Sequence, residues 1–501
     1  MSRYILLLVL VLSLKIALGA TWFVATTGSD KNSGTSINEP FLTLDQAVEN
    51  FQSGDSIIIR GGTYKHSVTI KLSVSGSEGK ECYLLAYPGE VPVLDFSGTA
   101  FGKRGIDLTG SYWLIKGLHI TLAGDNGMII KTGGNNLIEN CSFYRNKDSG
   151  LQIGGGSHDN RIINCDSYFN ADPSDYGDAD GFACKLDVGT NNYFYGCRAW
   201  VNVDDGWDGY LRGAENMTTI VENCWTWGNG YLEDGTDPGA KANGNGFKMG
   251  GSDDKTLKHN FIIKNSLAFY NKAKGFDQNN NMGSMQVYNC TGLFNDGNDF
   301  SIPGILASGQ TAEVKNCVLA DGKKSLNSFV VQESNSWDSR FTVTKEDFLS
   351  FDTTGVSGSR KDDGSLPDIS FVHLAEGSDL INAGIDLGLP FNGSKPDLGC
   401  FETDYSSSSL FNKTIDDDLN LRVKYSGYSQ LEISFITQDE NDFNCNLRDI
   451  NGRKVWSLTK SAGRGEKEII NIGTSLFPEG IYLFQVKTSN RNIIKKIVIR
   501  K

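Results

Sequence analysis

Between residues 126 and 318 two short marks recur, and their spacing leaves few architectures open. The first is a small or polar residue, then usually a glycine, then a large apolar anchor. It occurs at Asn126-Gly127-Met128, Ser149-Gly150-Leu151, Asp180-Gly181-Phe182, Asp205-Gly206-Trp207, Asn245-Gly246-Phe247 and Lys274-Gly275-Phe276, with Asn298-Asp299-Phe300 as a glycine-less version. The anchors are 23, 31, 25, 40, 29 and 24 residues apart. The second mark is Asn-Cys or Asn-Ser, at residues 140, 164, 223, 265, 289 and 316, with Tyr195-Gly196-Cys197 as the exception. A minimum period in the low twenties, with excess length added irregularly, fits a solenoid of stacked coils. Each coil would be three short strands joined by turns, with equivalent residues about 4.8 Å apart on successive rungs. The expected fold is therefore all-β: a right-handed parallel β-helix with three strands per coil. The Asn of each Asn-Cys pair is expected to pass amide hydrogen bonds up the stack. A β-sandwich with glycine-rich turns would not keep two marks in register over seven coils.

The flanks fit a capped solenoid. Thr43 and Gln46 form a capping box ahead of a short helix, a candidate N-terminal plug. The segment ending near residue 404 reads as a last, irregular coil. The expected organisation is a secretory signal peptide at residues 1–20, a catalytic β-helix at 21–404, a serine-rich linker at 405–420 and a small β-sandwich at 421–501. Nothing after the signal is long and apolar enough to span a bilayer. The ten cysteines would ordinarily suggest disulfides in an exported chain. Their fixed place in the repeat favours buried free thiols packed as small apolar groups.

The stretch NVDDGWDGY packs Asp204, Asp205 and Asp208 around Trp207. With the coils aligned on their anchors, Trp207 points inward and Asp180 stacks on Asp205. The residue after each anchor points outward, which sets Asp208 beside Lys248 on neighbouring rungs, both facing solvent. Asp180, Asp204, Asp205 and Asp208 make a hard, all-oxygen set suited to Ca²⁺. Bare carboxylates would raise the pKa of Lys248, whereas a bound cation reverses that logic and makes the amine a usable base. Asp172, Asp175 and Asp178, in DPSDYGDADG, read as ordinary turn residues. The net charge of −13 argues against nucleic-acid binding.

DADGF, NVDDGWDGY and NGNGFKMGG together resemble the metal and base motifs of polysaccharide lyase family 9, the β-helical pectate lyases, over residues 21–404. The resemblance implies Asp180, Asp204, Asp205 and Asp208 as calcium ligands and Lys248 as Brønsted base. It implies β-elimination on an anionic pectic polysaccharide, leaving a 4,5-unsaturated sugar. Lys185 and Arg212 stand by position as helpers that bind the substrate. The C-terminal FPEGIYLFQVKTSNRNIIKKIVIRK resembles the sorting domains of type IX secretion, which implies a bacterial protein, secreted or at the cell surface, that engages the secretion machinery. A monomer is expected. A rhamnogalacturonan lyase of the same family, a glycoside hydrolase on the same fold and a non-enzymatic calcium-stabilised pectin-binding β-helix stay open as alternatives.

Overall fold

The computed structural model describes residues 19–403 and most of 422–499; the signal peptide and the linker read from the sequence lie outside the described residues, apart from the signal's last two positions. The chain divides into two units, Met1–Ser406 and Ser407–Lys501.

In the first unit the described strands form three long parallel sheets of twelve, ten and ten strands. The first sheet runs from Thr21–Val24 to Val331–Glu333, the second from Ile70–Leu72 to Lys324–Leu326, and the third from Gly62–Lys65 to Val318–Asp321. The apolar anchors set the register of the second sheet, where Met128, Leu151, Phe182, Trp207, Phe247, Phe276 and Phe300 pair rung by rung. Their rings stack inside the coil: Trp207 lies 4.9 Å from both Phe182 and Phe247, and Phe276 lies 5.1 Å from Phe247 and 5.0 Å from Phe300. A second stack, Tyr144–Tyr168–Trp200–Trp227–Phe269, runs along the outer side of the third sheet.

The Asn-Cys mark does something other than expected. Its asparagines stand at left-handed backbone positions, φ +53° at Asn164 and +54° at Asn223, which suits a short polar side chain. The exception follows the same rule, because Gly196 has φ +64°. Among these residues an amide bond to the next coil is seen between Asn316 and Asn289, while Asn140 Oδ1 and Asn164 Oδ1 are buried without a hydrogen-bond partner among the described residues. The continuous ladder is built from other asparagines. Asn146, Asn170, Asn202, Asn229, Asn271 and Asn295 bond Nδ2 to Oδ1 over 2.8–3.1 Å, each also taking the backbone N–H of the residue below. Each lies five residues after the Cys or Ser of the mark. All ten cysteines are buried and free.

The ladder also explains the repeated glycine. A Cβ on Gly206 would stand 2.1 Å from Thr226 Oγ1, 2.6 Å from the Gly246 carbonyl and 3.0 Å from Asn229 Nδ2. No side chain fits where the turn presses on the ladder and the next rung.

At the N-terminal end, helix Leu44–Asn50 buries Leu44 and Ala47, and Phe51 stacks on Trp113 at 4.7 Å. Thr43 Oγ1 accepts from Gln46 N as expected, but the other half of the box comes from Asp30, whose Oδ1 takes the Thr43 N–H. The segment to residue 403 is not a further stacked coil. Phe348, Leu366, Phe371, Leu374, Leu380 and Leu398 pack with Trp225, Leu267, Phe269 and Leu293 of the third sheet, covering part of its outer face. Arg360 reaches Asp166 at 2.6 Å, where Arg198 also pairs with it at 2.8 Å. The segment therefore buries an outward-facing apolar patch, and its polar anchor is a desolvated ion-pair cluster.

The second unit holds two antiparallel sheets, of three and four described strands. Leu431, Ile433, Phe435, Ile470 and Ile472 from one meet Phe443, Cys445, Leu447, Phe484, Val486, Ile497 and Ile499 from the other in one core. Strands Arg422–Tyr425, Lys454–Ala462 and Lys467–Gly473 add to the four read from the sequence. The turns read at NGRK and PEG fall mostly outside the described residues.

Candidate active site

Strands Phe182–Cys184, Trp207–Asp208 and Phe247–Lys248 lie side by side in the second sheet. The turns entering the first two carry Asp180, Asp204 and Asp205. Burial of Phe182, Trp207 and Phe247 inside the coil turns Ala183, Asp208 and Lys248 outward, as the alternation of a strand requires. These residues are not solvated, however: Asp208 is 4 % and Lys248 8 % exposed. They lie at the bottom of a cleft of about 290 Å³ lined also by Asp148, Gln152, Asp178, Lys185, Tyr210 and Arg212. A larger hollow of about 500 Å³ elsewhere contains the Arg145–Glu233 ion pair but no comparable cluster of acids and amines.

Lys248 Nζ stands 3.0 Å from Asp205 Oδ2 and 3.4 Å from Asp208 Oδ1. Lys185 Nζ stands 2.6 Å from Asp180 Oδ2 and 3.4 Å from Asp208 Oδ2, so it belongs to the acid cluster itself rather than to its rim. Arg212 is at the mouth, with a side chain 61 % exposed, 3.3 Å from Asp253 and over the Tyr210 ring. Sequence reasoning missed Tyr210, whose hydroxyl donates to Asp253 over 2.7 Å and whose ring lies under Lys248 Nζ at 5.6 Å. Its place in NVDDGWDGY, two residues after Asp208 and just past the end of the strand, was a signal.

Each acid is oriented by neighbours. Asp180 Oδ1 takes the Asp205 N–H, and its Oδ2 takes the Ser149 hydroxyl. Asp205 Oδ1 accepts both the backbone and the side-chain N–H of Asn245. Asp208 Oδ1 takes the Tyr210 N–H. Asp204 Oδ1 takes the N–H of Asn243. Behind the cluster, fully buried His259 donates from Nδ1 to the Gly209 carbonyl at 2.7 Å, which leaves Nε2 to accept from Thr219 Oγ1 at 2.8 Å.

Burial pushes Asp180 and Asp204 well above the usual carboxylate range and raises Asp205. Burial acts the same way on Asp208, but Lys248 and Lys185 outweigh it and hold this carboxyl below its usual value. Burial alone would lower Lys248; the attraction of Asp205, Asp208, Asp204 and Asp180 takes it well above the ordinary lysine range. Beside bare carboxylates this amine keeps its proton.

The donor set suits a hard divalent cation. One oxygen each from Asp180, Asp205 and Asp208 lies within 4.8 Å of the others, a separation that one ion with oxygens at about 2.3–2.6 Å can bridge. Asp205 Oδ2 is buried, and among the described residues it meets the Lys248 amine at 3.0 Å and no other hydrogen-bond donor. Four aspartates against two lysines leave two formal negative charges.

Residues 22–316 match a family model described as the Pel9A-like right-handed β-helix region, and residues 428–500 match a secretion system C-terminal sorting domain. The chain is 38 % identical over 395 residues to pectate lyase L of Dickeya chrysanthemi, covering 76 % of this chain and 90 % of the relative. It is 40 % identical over 370 residues to pectate lyase L of Paenibacillus polymyxa, covering 69 % and 80 %. Among solved structures, pectate lyase Pel9A aligns with a TM-score of 0.71 at 36 % identity, covering 78 % of this chain and 98 % of that one. A rhamnogalacturonan lyase aligns with a TM-score of 0.63 at 28 % identity, covering 72 % and 97 %.

Proposed function

Because the chain belongs to the Pel9A-like right-handed β-helix family and is a polysaccharide lyase of the pectate lyase type, we propose that it cleaves polygalacturonate by calcium-dependent β-elimination with Lys248 as the base. The observation that carries this reading is the placement of the Lys248 amine, 3.0 Å from Asp205 and one rung from Asp208, at the bottom of an open cleft.

Lys248 Nζ takes the C5 proton of a galacturonate. The electron pair left at C5 is delocalised towards the C6 carboxylate and then forms the C4–C5 double bond as the C4–O4 bond breaks. The departing O4 takes a proton from water. Asp180, Asp204, Asp205 and Asp208 would hold Ca²⁺, which when bound supplies Lewis-acid neutralisation of the uronate carboxylate and offsets the acids' hold on the Lys248 proton. Lys185 keeps Asp180 and Asp208 in place and presents positive charge to the cleft. Arg212, at the mouth, meets the next carboxylate along the polymer. The Tyr210 ring, held by Asp253, gives the sugar a flat wall.

A rhamnogalacturonan I substrate is the second reading, favoured by the likeness to a rhamnogalacturonan lyase. One assay separates them: release of the unsaturated product, followed by ultraviolet absorbance, on polygalacturonate and on rhamnogalacturonan I, with and without chelator. Activity on polygalacturonate that chelator abolishes and Ca²⁺ restores is expected. Chain cleavage with no unsaturated product would replace elimination by hydrolysis, and activity indifferent to chelator would remove the cation. The sorting-domain match and the apolar N-terminus support export through a type IX route.

A further inference from the structure

A second acid cluster stands outside the reaction machinery. The turn that leads from strand Asp166–Tyr168 to strand Phe182–Cys184 carries Asp172, Asp175 and Asp178, and one oxygen from each lies within 4.8 Å of the others. Turn chemistry accounts for part of this, since Asp172 Oδ2 takes the Gly177 N–H at 3.3 Å and the Ser174 hydroxyl at 3.5 Å. It does not account for the other oxygen. Asp172 is only 5 % exposed, and its Oδ1 is buried without a hydrogen-bond partner among the described residues. Nor does it explain why three carboxylates converge. Lys241 pairs with Asp175 at 2.8 Å, and one ammonium against three carboxylates leaves two negative charges uncompensated.

We propose that Asp172, Asp175 and Asp178 form a second divalent-cation site, selective for Ca²⁺. A carboxylate with an unpartnered buried oxygen, converging with two further carboxylates, is what a hard cation fills, and the separation suits oxygens at about 2.3–2.6 Å. The remaining ligands would be backbone carbonyls and water, which Ca²⁺ accepts more readily than the stricter octahedral Mg²⁺. The site lies on the wall of the active cleft. Gly177 and Asp178 line that cleft, and the Asp178 carbonyl accepts from Lys185 Nζ at 3.3 Å and from Ser149 Oγ at 3.1 Å. On its other side the turn packs Ala179 with Val203 and Ala242. A cation here ties the inserted turn to the strands at its two ends, so its work is to hold the cleft's shape rather than to touch the reacting atoms.

The test counts Ca²⁺ bound to the full chain by titration calorimetry, without substrate. Wild type is compared with Asp172→Asn/Asp175→Asn and with Asp208→Asn, circular dichroism checking that each folds. The expected result is that the double variant binds one Ca²⁺ fewer than wild type and that Asp208→Asn keeps the ion the double variant loses. An unchanged stoichiometry in the double variant overturns the proposal and leaves Lys241 as the acids' only counter-ion. The arms separate this site from the reaction centre: if the centre takes no calcium, wild type binds one ion, lost in the double variant and retained in Asp208→Asn. Should the double variant not fold, Lys241→Ala decides. Removing the competing ammonium should tighten this binding roughly two- to fivefold, and no tightening would count against the site.

Discussion

The two acid clusters differ in how their charge is held, although each carries the same excess of two negative charges. In the candidate active site, acids and lysines sit within strands locked between rungs or in the turns next to them, 8 % exposed or less, with every aspartate oriented by a neighbour's N–H or hydroxyl. In the 171–180 turn the acids come from an insertion, Asp178 is exposed and Asp175 half-buried, and one carboxylate oxygen has no partner among the described residues. Burial sets the first cluster apart: crowded acids hold the Lys248 amine well above the ordinary lysine range, and on the proposed reading a bound cation would loosen its proton. The partial exposure of the second leaves its charge better solvated, and its proposed cation would hold the shape of the cleft wall.

The largest expected effect breaks the comparison at Lys248. Lys248→Ala should lose about 10²–10⁴-fold in kcat, measured as unsaturated product from polygalacturonate, with fold and calcium binding kept. A variant that keeps its turnover would remove the base. Next, Asp208→Asn should lose more activity than the roughly 10- to 100-fold typical of disturbing a metal site's outer shell. The same change at Asp175 should cost far less, and equal losses would erase the distinction between the clusters.

A third test addresses the rigid floor beneath the first cluster. Burial lowers the pKa of His259 to about 4, from an ordinary 6.5. Between those values the unfolded chain binds more protons than the folded one, so this contribution to stability is full above pH 6.5 and is lost as pH falls through 4. His259→Gln should therefore shrink the difference in unfolding free energy between pH 7 and pH 4 by about 3 kcal/mol. An identical pH dependence in wild type and variant would mean that the ring is not held neutral.

Asn202→Ala, which cuts the ladder beneath the Asp180 turn, should cost about 1–3 kcal/mol in chemical denaturation. Loss of a comparable ladder bond has no counterpart in the 171–180 turn. The smallest effect is expected at the mouth. Arg212→Ala should raise KM roughly two- to fivefold with kcat unchanged, because its charge is largely solvated. A fall in kcat instead would place this residue nearer the reacting atoms.

Much of this was legible in the chain, for reasons that differ residue by residue. The anchors gave the register of the second sheet because one large apolar residue per coil must face the interior. Asp208 and Lys248 followed by counting one residue on. The Asn-Cys mark was visible, but its role was misread: a left-handed backbone and a side-chain ladder both select asparagine, and spacing alone does not separate them. The true ladder lay five residues further on, legible only once turn geometry was known. The position of Lys185 beside the cleft follows from the strand direction, whereas only packing shows its amine also reaching back to Asp180. The segment to residue 403 looked like a coil because it lies at the end of the repeat; its apolar residues instead cover the third sheet.

The sequence by itself determined the period, the inward anchors, the rung on which each acid and Lys248 would stand and the family to which they belong, because one-dimensional spacing in a parallel stack becomes lateral neighbourhood directly. Only the tertiary structure decided the depth of the cleft, the pairing of Lys185 and the meeting of three aspartates in one inserted turn. Insertions escape the period, and side-chain reach and burial depend on what packs from other coils.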